Sequence, residues 1–344
     1  MIEQVSTSVN WRKTLRQNTY RTRIIIFLFF FIYVLIGVLV DLLLASSTYP
    51  QATISQLFTA LATLQIFPIA TAIMLGVAAL SLFVSYLWYD KLMLLGTEYH
   101  EITPQTARTS TERQLYNVVE EMKVAAGLHF MPRVYVIDAD YMNAFASGYS
   151  EKSAMVAITR GLMEKLNRDE LQAVMAHELS HVRHLDIKLT LTASLLANMS
   201  ILVLDILFHQ MIFSGARRED NRSRQSLMTI VWILRFTLPV ISMLLLLYLS
   251  RTREFMADAG SVELMRTNQP LASALMKISQ DHATHHDAYQ AAYQQTPHEN
   301  LRREAYIFDP LQADMMSVTS LNDLFSTHPS LEARLAALGY KRRD

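Results

Sequence analysis

Residues 177–181 read His177-Glu178-Leu179-Ser180-His181, two imidazoles four positions apart with a carboxylate directly after the first. On a helix, positions i and i+4 stand one above the other on the same face. Both rings then reach one cation, with Glu178 beside it. A second pair with the same spacing, Glu254 and Asp258, follows far downstream. Two histidines and one carboxylate supply three protein ligands and leave one position of a tetrahedral Zn²⁺ open. Glu254 is therefore the expected third ligand, and one Zn²⁺ per chain the expected cofactor. Asp258 is expected to accept a hydrogen bond from a ligating imidazole and so fix its tautomer. Glu178 is not needed as a ligand; it is the expected general base, polarising zinc-bound water for attack on a peptide carbonyl.

This chemistry needs a helix under the motif. Asn167 with Glu170 three residues later makes a capping box, and Leu171, Val174, Met175, Leu179 and Val182 continue as an apolar stripe without Pro or Gly. H-E-x-x-H on a helix is the signature of zinc peptidases. Upstream, Arg133 to Ile137 and Ala154 to Thr159 are rich in β-branched residues and read as strands. Between them lies Asn143 to Tyr149, followed by a turn at Ser150-Glu151-Lys152-Ser153. The fold class that results is a mainly α membrane protein with an α+β, zincin-like catalytic domain, in which a small sheet edge lies over the motif helix.

The membrane part comes from composition. Of 344 residues 51% are hydrophobic and 18% charged, against roughly 25% charged in ordinary soluble domains. The excess sits in four blocks: Ile24 to Ala45, about Leu57 to Tyr89, about Ile187 to Phe213 and about Leu227 to Ser250. The first two each exceed the ~20 residues of a spanning helix. Zero formal net charge argues against nucleic acid as a partner, and with no cysteine there are no disulfides or thiolate ligands. The chain divides into a basic N-terminal segment 1–23, two transmembrane helices in 24–89, a first catalytic part 90–186, an apolar hairpin 187–250 and a second catalytic part 251–344.

Arg12, Lys13, Arg16, Arg21 and Arg23 precede the first block, while residues 42–57 hold no Lys or Arg. That asymmetry places the N-terminus in the cytoplasm and, after two crossings, residues 90–186 there as well. The first block is too long for a cleaved signal peptide and reads as a signal-anchor. Blocks three and four carry Lys188, Asp205, His209 and Arg235, and the loop between them holds Arg217, Arg218, Arg222 and Arg224. Hydropathy favours spanning and the arginines oppose export, so two to four transmembrane helices are expected. One cation needs His177, His181 and Glu254 on one side, so the two blocks both span or both do not. The site then lies close to the membrane surface.

The H-E-x-x-H motif with His184-Leu185-Asp186, the segment Arg253-Glu254-Phe255-Met256-Ala257-Asp258, the segment Asn143-Ala144-Phe145-Ala146-Ser147-Gly148 and the stretch Thr327-His328-Pro329-Ser330-Leu331-Glu332-Ala333-Arg334-Leu335 together resemble the HtpX-type membrane metallopeptidases, bacterial stress-response proteases of the gluzincin kind. The resemblance covers about residues 20–340. It implies a zinc-dependent endopeptidase of the bacterial inner membrane, catalytic domain toward the cytoplasm, that cleaves damaged or unfolded membrane proteins without ATP. In that family the region of Asn143 and Ala144 borders the cleft, which makes both candidates for substrate contact. Peptidases commonly add an extended substrate to a sheet edge; an Asn that stabilises a turn is the competing reading. The first 20 or so residues depart from the pattern as an extension, and 280–305 as an insertion.

Other readings stay open at this level. His328 and Arg334 are candidates for the cleft, as oxyanion donor or partner of an acidic group, or simply pack a helix start. His184 is expected near the site or on the surface rather than as a ligand. His282, His285 and His286, with Asp281 and Asp287, read as a solvated face or a weak extra metal site. The alternatives for the whole chain are a CAAX-prenyl-type endopeptidase, which normally has more spans, and a non-catalytic polytopic metal-binding or transport protein, which has no use for Glu178.

Overall fold

The computed structural model describes residues 2–4, 11–93, 98–213, 222–289, 306–308 and 328–342. In chain order these form β1 (Ile2–Gln4), α1 (Trp11–Thr48), α2 (Ile54–Ala62), α3 (Ile69–Met93), β2 (Tyr99–Ile102), α4 (Ser110–Ala126), β3 (Arg133–Ile137), β4 (Ala144–Ser147) and β5 (Met155–Thr159). Then follow α5 (Arg160–Lys165), α6 (Arg168–His184), α7 (Asp186–Phe213), α8 (Arg222–Met265), α9 (Gln269–Thr284), α10 (Leu331–Ala337) and β6 (Tyr340–Arg342). Of the regions singled out from sequence, residues 214–221 of the arginine-bearing loop, 290–305 of the insertion and Thr327 lie outside the described residues.

The chain makes two compact units. The larger comprises residues 1–22, 87–189 and 247–344, and the second, apolar one residues 23–86 and 190–246.

In the apolar unit, α1, α7 and α8 each contain a stretch long and apolar enough to cross a membrane, and 69–84 in α3 is a shorter apolar helix among the described residues. Phe27, Phe83, Trp232 and Phe236 are exposed, as suits a surface surrounded by lipid rather than water. One expectation changes here. The block at about 57–89, read as a single span, is two helices, α2 and α3, separated by residues 63–68. The reason lies in Asp41, the one acid of the first apolar block. Its carboxylate accepts hydrogen bonds from the amides of Ala70 (2.8 Å) and Thr71 (3.0 Å) and from the Thr71 hydroxyl (2.7 Å). These amides are the unpaired first-turn donors of a new helix start, and Pro68 just before them has no N–H to continue an earlier one. Thr53 and Gln56 close a capping box at the start of α2.

The larger unit is built on a four-stranded sheet of order β2-β3-β5-β4. β3 and β5 are parallel, while β2 and β4 pair antiparallel on the outside. The segment after Asn143, between the two expected strands, is thus an edge strand. Alternating side chains send Val134, Val136, Val156 and Ile158 to one face, where they pack with Leu115 and Val118 of α4, Val174 and Leu179 of α6, and Leu275 and Ile278 of α9. Tyr135, Phe145, Met155 and Ala157 take the other face, with Tyr289 and Tyr306. At the chain ends β1 and β6 pair antiparallel, Glu3 opposite Lys341.

Candidate metal centre

The motif helix α6 starts as its sequence predicts. Asn167 Oδ1 accepts from the Glu170 amide (2.9 Å) and Glu170 Oε2 from the Asn167 amide (3.0 Å). Glu170 also binds Ser273 and Lys277 of α9 at 2.6 and 2.7 Å, which docks α9 against the start of α6. The helix ends at Leu185, whose left-handed backbone (φ 54°) turns the chain. α8 is pressed onto α6 further down. A Cβ on Gly260 would lie 2.1 Å from Ser180 Oγ, so only glycine permits this approach, and Ser261 Oγ donates to the Ala173 carbonyl at 2.7 Å. Glu254 lies less than two turns before Gly260 along α8, and that contact delivers it to the histidines.

His177 Nε2 and His181 Nε2 are 3.2 Å apart, and Glu254 lies 3.7 Å from the first and 3.5 Å from the second. Three donors on a tetrahedral Zn²⁺, with bonds of roughly 2.0–2.1 Å, stand about 3.3 Å from one another. The other nitrogen of each ring faces a carboxylate: Asp258 Oδ1 at 3.0 Å from His177 Nδ1, and Asp186 Oδ2 at 2.7 Å from His181 Nδ1. A carboxylate there holds the proton on Nδ1 and leaves Nε2 bare. Two bare lone pairs 3.2 Å apart repel unless a cation lies between them. The donor set fits a metal.

Electrostatics agree with ligation. Burial, the neighbouring His177 and the arginines push His181 down to about 3, against the opposing charge of Glu254, so its ring is neutral near pH 7, as a ligand must be. Burial alone would raise Glu254, but His328, His181 and Arg334 facing it hold its carboxyl below the usual range. Asp258, likewise buried, is held low by Arg334 and His177. Arg334 binds Asp258 with two N–H donors, Nε at 2.9 Å and Nη2 at 2.6 Å, and Nη1 lies 3.5 Å from Glu254. His328 Nδ1 is also 3.5 Å from Glu254, and both residues are buried.

Glu178 is 1% exposed, and neither carboxylate oxygen makes a well-aligned hydrogen bond among the described residues. Burial, reinforced by the charge of Glu254 and opposed by His177, the approaching Ala146 amide and Arg334, pushes its carboxyl up to about 7. That is the range in which a carboxylate both takes and returns a proton near neutrality.

Asp186 and Arg253 carry parts of the site that sequence reasoning left unassigned. Asp186 sits five residues after His181, off the helical spacing, and reaches back only because Leu185 adopts a left-handed conformation. Arg253 is 4% exposed and paired with Asp186. Burial lowers it to about 9, against the pull of Glu254. His184 is held by the Ser180 carbonyl at 2.8 Å and is not among the converging donors.

Asn143 and Ala144 are at the start of the edge strand, but not open. The Asn143 side chain donates through Nδ2 to the Phe308 carbonyl at 3.0 Å, and the Ala144 carbonyl accepts from the Ile307 amide at 2.9 Å. The expectation of a solvated histidine face is corrected at His282, which is 1% exposed, lies 2.8 Å from the Met142 carbonyl through Nε2 and packs against the Phe308 ring. His285 stays at the surface beside Asp281.

A family model described as Peptidase family M48 matches residues 109–342. Over 329 residues the chain is 38% identical to a "Protease HtpX homolog" of Helicobacter pylori, covering 96% of this chain and 98% of that one. A "Protease HtpX homolog" of Streptococcus uberis is 32% identical over 329 residues, covering 94% and 97%. The crystal structure of S. mikatae Ste24p aligns with a TM-score of 0.53 at 17% identity, covering 81% of this chain and 60% of that one, which is a likeness of fold.

Proposed function

The chain belongs to peptidase family M48 and is a membrane metalloprotease; from that premise we propose that one Zn²⁺ is held by His177, His181 and Glu254, that Glu178 is the general base, and that the substrates are unfolded or damaged membrane polypeptides. The observation that carries the reading is the pair of bare Nε2 atoms, 3.2 Å apart, with Glu254 closing the third corner and Glu178 buried beside them.

Zinc, when bound, supplies a Lewis acid that makes water acidic enough to lose a proton near neutral pH and stabilises charge on the carbonyl oxygen under attack. Glu178 takes the proton from the attacking water and returns it to the leaving amine. Asp258 and Asp186 keep the two imidazoles turned to the ion. His328, buried next to Glu254, is the candidate donor to the developing oxyanion. Arg334 spends its guanidinium on Asp258 and the Ile307 carbonyl, so its part is to hold those groups in place.

Residues 1–22, 87–189 and 247–344 share a unit, so the chain must leave and re-enter it twice. Under this reading the crossings come in pairs. The basic flank before α1 favours the cytoplasmic side of a bacterial inner membrane for the site.

Full-length protein in detergent, supplied with zinc and unfolded casein, tests the mechanism. Glu178→Gln is expected to keep its zinc and lose about 10²–10⁴-fold in cleavage rate. Cleavage by this variant near the unaltered rate contradicts it.

A further inference from the structure

In the antiparallel pairing of β4 with β5, Asn143, Phe145 and Ser147 turn their backbone groups to β5: the Thr159 amide donates to the Asn143 carbonyl at 2.9 Å. Ala144 and Ala146 therefore present theirs to the open edge. The two positions differ. At Ala146 the amide approaches the Glu178 carboxylate. At Ala144 the edge is already taken by the chain itself. The Ile307 amide donates to the Ala144 carbonyl at 2.9 Å, and the Ile307 carbonyl accepts from Arg334 Nη1 at 2.7 Å. The Phe308 carbonyl accepts from the side-chain Nδ2 of Asn143 at 3.0 Å, and the Phe308 amide lies 3.4 Å from Asn143 Oδ1. This is how an added peptide is held on a sheet edge, and here the peptide is Ile307-Phe308.

It is anchored, not perched. Tyr306 and Ile307 are each 1% exposed. The Tyr306 ring packs edge-on against Phe145 and Tyr141, with ring centres 5.7 and 6.4 Å apart. Peeling the segment away leaves the buried Asn143 amide and one arm of Arg334 without those partners, which a buried polar group tolerates poorly. A substrate strand pairing at Ala144 has to displace the Ile307 amide from the Ala144 carbonyl and Asn143 Oδ1 from the Ala144 amide (3.1 Å).

We propose that Ile307-Phe308 is a fixed end wall of the peptide groove, which limits strand pairing of substrate to Ala146 and the side beyond Ser147. The proposal rests on the reading that substrate adds to β4 next to Glu178. Two residues along a strand span only about 6.6 Å, so little more than one substrate residue fits between the attacked bond and the wall. Antiparallel addition, the more stable arrangement, points the C-terminal part of the substrate toward Ala144. The wall therefore closes the subsites after the scissile bond. The enzyme reads an extended backbone before the bond and requires the chain to turn away, or end, soon after it.

Single N-methylation of substrate backbone amides, which removes one donor at a time, tests this without altering the protein. A peptide identified from casein digestion by the zinc-loaded, full-length enzyme is methylated in turn at the four residues on each side of its cleaved bond. Methylation at the second to fourth residues after the bond is expected to change kcat/KM by less than about twofold, and at least one position among those before it to lower kcat/KM tenfold or more. Tenfold losses at the second to fourth residues after the bond overturn the wall. Losses nowhere on the peptide overturn strand addition itself, and cleavage that persists in Glu178→Gln overturns the functional reading beneath both.

Discussion

Both units bury charged groups, and they put them to different uses. In the apolar unit the buried Asp41 spends its carboxylate on two amides and a hydroxyl at the start of α3, and the part-exposed Asp205 pairs with Arg235 of the neighbouring helix. The Asp41 carboxylate is thereby satisfied from inside the chain, with both oxygens accepting. In the larger unit the carboxylates of Asp258 and Asp186 are spent the same way, on His177 with Arg334 and on His181 with Arg253. What they support is not closed. Two imidazole nitrogens and the Glu254 carboxylate are left converging on one point. A buried acid, then, does not mark a site by its type or its depth. The mark is a set of donors whose remaining valence points at shared space.

The contrast predicts that removing a supporting acid costs stability in either unit but metal in only one. Asp258→Ala leaves Arg334 buried without its two-point partner, and breaking a buried pair in this way costs about 3–5 kcal/mol. Denaturant unfolding in detergent is expected to show that loss, and zinc titration a roughly 10–100-fold weaker affinity. An unchanged unfolding midpoint contradicts the assignment. Asp41→Ala strips the acceptor from the Ala70 and Thr71 amides, at a cost of about 1–3 kcal/mol. Its thermal midpoint is expected to fall while zinc stoichiometry and affinity stay at the unaltered values. A loss of zinc there breaks the comparison.

The smallest effect is a pH dependence at Glu170. Burial pushes its carboxyl up, but Lys277, the Ser273 hydroxyl and the Asn167 amide outweigh this and leave it below the ordinary value. A carboxyl lowered on folding contributes stability that is complete above its unfolded pKa, about 4.3, and is lost as pH falls through the folded value. Lys277 is half exposed, so water screens part of its contribution. The stability difference between the unaltered protein and Glu170→Gln is expected to be largest near pH 7 and to shrink below pH 5. A difference that grows on acidification reverses the sign and excludes the account.

What the sequence made legible was local. The capping box of Asn167 and Glu170, the His177–His181 spacing and the Glu254–Asp258 spacing all follow from three- and four-residue periodicity, which a linear string displays. The strands at Arg133 and Ala154 showed for the same reason. What stayed hidden depends on one departure from regular geometry or on distant pairing. Asp186 needs the left-handed turn at Leu185 to reach His181. Asp41 needs a helix start 29 residues away. Asn143, a substrate-contact candidate by resemblance, binds Phe308, 165 positions downstream, a pairing that no linear string displays. The signal for Asp41 was present all the same: an unpaired acid in an apolar block demands a partner.

The central claim is that Glu254, brought by α8, is the third ligand. The direct measurement is zinc per chain, by elemental analysis after dialysis, in Glu254→Ala beside His184→Ala, each purified in detergent and checked for folding. The account predicts that Glu254→Ala holds no stoichiometric zinc while His184→Ala keeps one per chain. One tightly held zinc in Glu254→Ala, with its loss in His184→Ala, contradicts it.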